Sequence, residues 1–478
     1  MKKIKIISLI LSLVLLTASF VGCNNNQANV DTGEITSTTV SKEETTVTST
    51  TAATTTEVTS EATEETKETV TTEKITDEIT TEKPVEPDEP SYEISKSMLS
   101  DIMQNMFEGN TVKNETVMFI DYGDVKELMF YADSIISVTS YDGKITYTEG
   151  VDYALEDGKI VLLEGSSIPC ITSKVYYNNT ESSYLSIKHD GKICSVYWGE
   201  GTKMTMWQIN VTYTHSDEWE GFAQSCYADV YAKLLEKLYK GEDITVIFYG
   251  DSIASGANSS QFVRVEPYQP DYTKLFVYAL ADLFDYKVKH IITDLDGTFA
   301  ENIPTYNGGD VRGTINYINS SVGGWGCVQA LENVQEYVVD IADFYGSDLL
   351  VMNFGMNNGT TSAKNFQVYT KQTIAPILEV VPNTAIMLVS PMVSNPYDVY
   401  SGKNQILFEE PLAALAESYT RAGNACALVS VASLSTSILE HKTFNDYAAN
   451  NINHPNDFFM RVYAQALLQA LVGYENMK

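Results

Sequence analysis

From residue 244 onward the chain alternates two kinds of apolar segment, and few architectures satisfy that alternation. Runs of strand length occupy 244–249, 288–292, 349–354, 385–390 and 427–431, while helix-length segments occupy 272–284, 328–344, 363–379, 412–422 and 458–472. Strands that are apolar on both faces need cover on both, so this order predicts a parallel sheet with helices on either side, a three-layer α/β domain over 243–478. In such sheets ligands bind outside the carboxyl ends of the strands. The residues that follow each apolar run are therefore where chemistry is expected.

The half before this reads differently. Between 92 and 218 Asp-Gly-Lys-Ile occurs three times, at Asp142, Asp157 and Asp190, beside short segments of strand character. Asp-Gly between such segments is a hairpin signal, because the tight turn needs positive φ. The unequal spacing argues against a repeat; the region reads as an antiparallel β-sandwich. Phe222, Cys226, Val230, Leu234 and Leu238 recur every four residues and predict a connecting helix over 219–242.

Residues 1–22 read as a secretory leader: Lys2, Lys3 and Lys5, then an apolar core from Ile6 to Val21, shorter than the ~20 residues a bilayer span needs. Phe20-Val-Gly-Cys23 resembles the bacterial lipobox, which implies a lipid on Cys23, export, and a cell-surface location anchored through that lipid. Residues 23–91 then form an expected disordered linker. Of the 60 positions from 31 to 90, 21 are threonine, with glutamate between them and no aromatic residue, so the tract lacks the apolar surface to offset its chain entropy.

The 478 residues carry 63 acidic and 31 basic side chains, a formal charge of -32. That field repels nucleic acid and anionic lipid surfaces, leaving the N-terminal lipid as the expected membrane contact. Six cysteines (Cys23, Cys170, Cys194, Cys226, Cys327, Cys426) show neither CxxC nor tight metal spacing, so no disulfide framework is expected. No metal or other cofactor is required by anything in the sequence.

Four short blocks fall at the expected strand ends: Gly250-Asp-Ser-Ile253 after the first run, Ser321-Val-Gly-Gly-Trp325, Gly355-Met-Asn-Asn358 after a later run, and Asn453-His-Pro-Asn456 near the end. A serine hydroxyl becomes a nucleophile when a neighbouring base takes its proton, and histidine suits that task near neutrality. Of five histidines, His454 is the candidate; His189, His215, His290 and His441 read as structural or surface residues. Together the blocks, in this order, resemble the SGNH or GDSL-type hydrolases, which have a flavodoxin-like three-layer fold. The resemblance implies Ser252 as nucleophile and His454 as base, with an oxyanion hole built from the Ser252 N–H, the Gly324 N–H and the Asn357 side chain.

That family usually places aspartate three residues before its histidine, where this chain has Asn451. Three readings stay open. A Ser–His dyad suffices, with Asn451 or a backbone carbonyl orienting the ring; another acid such as Asp446 or Asp457 substitutes; or the enzyme is weakened. The absence of Gly-x-Ser-x-Gly and His-Glu-x-x-His sets aside the α/β-hydrolase and zincin patterns.

The resemblance implies an exported serine esterase that removes acyl groups, acetyl above all, from carbohydrate such as plant cell-wall polysaccharide. Trp325 and Tyr268 are candidates to stack on sugars or to sit in the core. The alternatives are a lysophospholipase or other lipid acylhydrolase, and a non-catalytic glycan-binding protein with a degenerate hydrolase fold.

Overall fold

The computed structural model describes residues 93–178, 184–291, 305, 306, 308, 311–399, 403–473 and 475. The leader, Cys23 and the threonine-rich tract lie outside them. All described residues belong to one compact unit.

Between 111 and 215 the strand pairing is antiparallel, as the turns predict, in three small sheets where one sandwich was expected; the short strand Glu93–Ile94 pairs in parallel with Thr305–Tyr306 instead. Strands β1 (Thr111–Met118), β3 (Ala132–Ser140) and β8 (Gln208–His215) form one in the order β1-β8-β3. Strands β2 (Val125–Lys126), β4 (Tyr153–Glu156) and β5 (Lys159–Leu162) form a second, and β6 (Ser186–His189) with β7 (Lys192–Ser195) a third. Asp157-Gly158 joins β4 to β5 and Asp190-Gly191 joins β6 to β7. Both residues of each pair have positive φ (49° and 70°; 49° and 77°), the two-residue turn that Asp-Gly favours.

The second half is the expected parallel sheet, with six strands. They are β9 (Ile244–Gly250), β10 (Tyr286–His290), β11 (Gly313–Asn319), β12 (Leu349–Asn353), β13 (Ala385–Val389) and β14 (Cys426–Val429), in the order β10-β11-β9-β12-β13-β14. Successive residues of the central strands enter opposite cores. Val246, Phe248, Leu349, Val351, Met387 and Val389 face α1 (Ala232–Lys240), α2 (Tyr272–Phe284), α6 (Val431–Ile438) and α7 (Asp457–Val472). Ile247, Tyr249, Leu350, Met352, Ile386 and Leu388 face α3 (Cys327–Val334), α4 (Ala363–Val380) and α5 (Glu409–Arg421).

The connecting helix is shorter than its stripe predicts. It forms only over α1 and ends at Gly241 in the left-handed conformation (φ 77°). Cys226 is exposed. The segment before α1 has other partners: Gln224 accepts from Ser430 N–H at 2.7 Å and donates to Leu428 C=O, and Tyr227 N–H donates to Ala470 C=O at 2.8 Å. These bonds lay the segment across β14 and the end of α7 in place of a first helical turn.

The two halves share one core. Helix α7 has 15 buried residues of 16, because the parallel sheet covers one side and Val117, Val138, Ile209, Val211 and Tyr213 of the β1-β8-β3 sheet belong to the same apolar cluster on the other. A helix with almost no residue left to water needs such cover. Polar contacts fix the dock: a register shift between Val112 and Glu115 leaves the Lys113 and Asn114 carbonyls to accept from the Arg461 guanidinium at 2.8 and 2.6 Å. Lys442 and Glu115, both fully buried, pair at 2.6 Å, and Glu115 also accepts from Tyr213 O–H at 2.7 Å.

Breaking a buried ion pair from one side leaves an uncompensated charge. Lys442→Met should therefore lower stability by about 3–5 kcal/mol in urea unfolding. A change below about 1 kcal/mol would show that the pair is not what locks the halves together.

Candidate active site

Strand β9 ends at Gly250, and the next two residues turn sharply. A side chain at Gly250 would meet Asn353 C=O and the Ala254 methyl at 2.6 Å, so only glycine lets the turn lie this close to β12. Asp251 N–H donates to Asn353 C=O at 3.2 Å, and Val322 N–H donates to Gly250 C=O at 3.0 Å. The first three blocks are thus tied together at the carboxyl ends of the neighbouring strands β11, β9 and β12.

Ser252 Oγ lies 2.9 Å from His454 Nε2, which joins the first block to the last across 202 residues. His454 stands in the loop before α7, held by the Asn450 side chain, whose Oδ1 accepts from the N–H groups of Ile452, Asn453 and His454 at 2.9, 2.9 and 3.0 Å. Ala449 N–H closes the loop onto His454 C=O at 2.8 Å. His454 is 13% exposed in its side chain, shielded yet reachable.

The other ring nitrogen faces a residue that the sequence did not single out. Glu200 Oε2 lies 3.2 Å from His454 Nδ1 and accepts from Asn258 Nδ2 at 2.7 Å; Glu200 Oε1 accepts from Asn450 Nδ2 at 3.0 Å. Partial burial works to raise the Glu200 pKa, but the imidazole and the two amides outweigh it and hold the carboxyl below its ordinary value. Glu200 follows β7 in the antiparallel half.

Asn451, the expected orienting residue, points elsewhere. It is buried with φ 64°, a left-handed position that asparagine tolerates. Its Nδ2 donates to Tyr197 C=O at 2.9 Å and Tyr176 Oη at 3.0 Å, and its Oδ1 accepts from Asn395 Nδ2 at 3.2 Å. The substitute acids are committed too. Asp446 accepts from Met118 N–H and Thr443 N–H, both at 2.8 Å, and Asp457 accepts from Ser260 N–H at 2.8 Å.

Among the described residues no protein acceptor takes the Ser252 or Gly324 N–H. Gly324 has φ 80° with open space beside it, while Gly323 lies against Ser252: a Cβ there would be 3.7 Å from the serine Cβ. Asn357 is exposed and uses one amide hydrogen on Trp325 C=O at 2.9 Å. Asn358 is the capping residue of the pair: buried, it accepts from Cys327 N–H at 3.1 Å at the start of α3. Burial pushes the Asp251 carboxyl up to about 7, against the backbone N–H groups of Ile253 and Met356 and the nearby His454.

Trp325 is half-buried and packs against the edge of the core, its ring 4.7 Å from Tyr337. The remaining histidines have other partners. His290 bonds Tyr278 Oη at 2.9 Å and burial pulls its pKa down to about 4. His189 stacks on Tyr177, His215 on Phe130, and His441 lies beside Trp219. The five cysteines among the described residues are free.

The α/β sheet thus brings Ser252 and His454 into contact at its strand ends, with Gly323, Gly324 and Asn357 in the neighbouring loops. No family model and no curated protein matches the chain. Solved structures with a similar fold include a two-domain esterase (CEX) active on acetylated mannans, co-crystallised with mannopentaose: 15% identity, TM-score 0.37, covering 52% of this chain and 54% of that one. The aligned part is thus about half the length of that esterase. Others are an acetylxylan esterase, Axe2, from Geobacillus stearothermophilus (12% identity, TM-score 0.35, 48% of this chain and 94% of that one) and a family 3 carbohydrate esterase of Clostridium thermocellum (12%, 0.32, 48% and 96%).

Because Asn451 is a buried donor to a carbonyl, Asn451→Asp should not improve any activity. It places a carboxylate against Tyr197 C=O and should cost about 1–3 kcal/mol in thermal or urea unfolding. A gain in turnover from this variant would return the orienting role to position 451.

Proposed function

We propose that the protein is an exported serine esterase that removes acyl groups, acetyl in the first instance, from carbohydrate. The observation that carries the reading is the 2.9 Å contact between Ser252 Oγ and His454 Nε2 at the strand ends of an α/β sheet. Attack of Ser252 Oγ on the acyl carbonyl forms the new C–O bond as His454 Nε2 takes the hydroxyl proton. Collapse of the tetrahedral intermediate breaks the ester bond, and His454 hands the proton to the departing sugar oxygen. Water, deprotonated by the same imidazole, then releases the acid and restores Ser252.

The Ser252 N–H, Gly324 N–H and Asn357 amide are assigned to the oxyanion of each intermediate. Fixed dipoles of this kind work because they need not reorganise as charge develops. The carbohydrate assignment follows the resemblance of the blocks, and an aromatic pair in the antiparallel half, close to Glu200 in sequence, is compatible with it. Tyr184 is exposed, and its ring lies 5.1 Å from Trp198. Such rings present flat apolar area to the faces of sugars. The leader and Cys23 assign the protein to the cell surface, held by a lipid.

Purified protein should release acetate from acetylated xylan or mannan and hydrolyse 4-nitrophenyl acetate, both abolished by Ser252→Ala. Asn357→Ala should reduce kcat by about 10²–10³-fold with the fold intact. Preference for a lysolipid over acetylated polysaccharide would replace the substrate, and binding of polysaccharide without turnover would replace the enzyme by a lectin-like protein.

A further inference from the structure

We propose that Glu200 is the positioning carboxylate for His454, supplied by the antiparallel half of the chain in place of an acid on the histidine's own loop. The inference rests on the esterase reading above and assigns the one member of its proton relay that the four blocks do not contain.

Three observations carry it. First, Glu200 Oε2 is 3.2 Å from Nδ1, the nitrogen opposite the one that meets Ser252, so a proton on Nδ1 leaves Nε2 free to accept from the serine. Second, the carboxylate is fixed from two independent elements. Asn258, in the turn after Ser252, donates to Oε2 at 2.7 Å, and Asn450, at the start of the histidine loop, donates to Oε1 at 3.0 Å. Gly199 N–H also donates to Asn450 C=O at 3.3 Å, anchoring the backbone next to Glu200. A surface glutamate that met His454 by accident would not be held by an amide from each of the two loops that carry the reacting groups. Third, the other acids near the loop are spent elsewhere: Asp446 on Met118 and Thr443, and Asp457 on Ser260.

The charged groups that act on His454 include Glu200, at Nδ1, and buried Asp251, whose carboxyl bonds the Ile253 and Met356 N–H groups. An anion at Nδ1 stabilises the imidazolium formed during attack. The corresponding Asp-to-Asn change in serine proteases costs about 10⁴ in kcat, which sets the scale for a relay that loses this partner. Glu200 is 54% exposed in its side chain, so solvent screens part of its effect and a smaller loss is expected here.

Glu200→Gln should lower kcat by about 10²–10⁴-fold with little change in KM. Loss of the anion also destabilises the protonated ring, so the acidic limb of kcat/KM should move to lower pH, a shift that a merely structural residue would not cause. Glu200→Asp should recover part of the loss. Unchanged kcat and pH profile in Glu200→Gln, with Ser252→Ala inactive, would overturn the proposal and leave the esterase. Should Glu200→Gln fail to fold, Asn258→Ala removes the 2.7 Å clamp alone and should lower kcat by about 10-fold or more; wild-type kcat in that variant would count against the assignment. If the wild type shows no turnover at all, the esterase reading falls. The Glu200 contact is then decided by NMR in a Ser252→Ala background, where a low-field Nδ1–H signal should be present with Glu200 and absent with Gln.

Discussion

Helix α7 is the element on which the rest depends, because it is buried by two different sheets and carries His454 just ahead of its first turn. A helix at the edge of a three-layer domain normally turns a polar face to water; in α7 the polar stripe of Asp457, Arg461 and Gln465 is buried instead, and Phe458, Phe459, Val462, Tyr463, Leu467 and Leu471 belong to the apolar core. Without the β1-β8-β3 sheet that outer face would meet water. The antiparallel half is therefore part of the α/β fold in the energetic sense, as the cover for its last helix. The loop from 443 to 457 is clamped between them: Thr116 Oγ1 donates to Asp446 C=O, Gln208 Nε2 donates to Asn445 C=O and Ala448 C=O, and Asn456 Nδ2 donates to Gln208 Oε1.

So many buried polar groups in one interface add specificity more than strength. Each amide or ion pair repays its own desolvation only when its geometry is met, and a shifted docking angle would strand several at once. Arg461 shows the cost, since burial pulls its guanidinium down to about 10 even with Asp457 close by. Asp457 is pushed up to about 6 for the same reason. An acid whose folded pKa is raised contributes stability at low pH and loses it as pH climbs through that raised value. This part of the interface is therefore tightest below the ordinary aspartate pKa, weakens as pH rises from there to about 6, and works against the fold above that.

The sequence was most legible where a residue's neighbours along the chain determine its role. Strands β9, β12 and β13 are buried on both faces and read as continuous apolar runs; Asp157-Gly158 and Asp190-Gly191 dictate their turns by φ alone; and Gly250 marks the end of β9 because a side chain there would meet Asn353 C=O at 2.6 Å. Strand β11 was harder to see. Gly313-Thr-Ile-Asn-Tyr-Ile-Asn319 is buried on only one side for much of its length, and its polar alternation lacks the apolar run that marked its neighbours. The stripe from Phe222 predicted a longer helix because periodicity knows nothing of Gln224's bonds to Leu428 and Ser430. Glu200 could not be found at all by spacing. It is one of 63 acids, 254 positions from His454, and the only local hint is that Asn451 leaves the usual position without a charge.

Two carboxylates lie near the imidazole, and their surroundings divide the labour between them. Asp251 is buried and bonded to backbone N–H groups, and burial pushes its carboxyl up to about 7, which disfavours its charged form. Glu200 is held below its ordinary value by the imidazole and two amides, and remains ionised throughout the range in which a histidine base can act. An acid lowered in this way contributes its stabilisation above the unfolded pKa and loses it only as pH falls through the folded one, so its contact with His454 persists at neutral and alkaline pH. The permanent anion beside the ring is thus the one that comes from the other half of the molecule. Asp251 serves instead to tie the serine turn to Met356, next to Asn357, so that the nucleophile and the proposed oxyanion amide hold one mutual position.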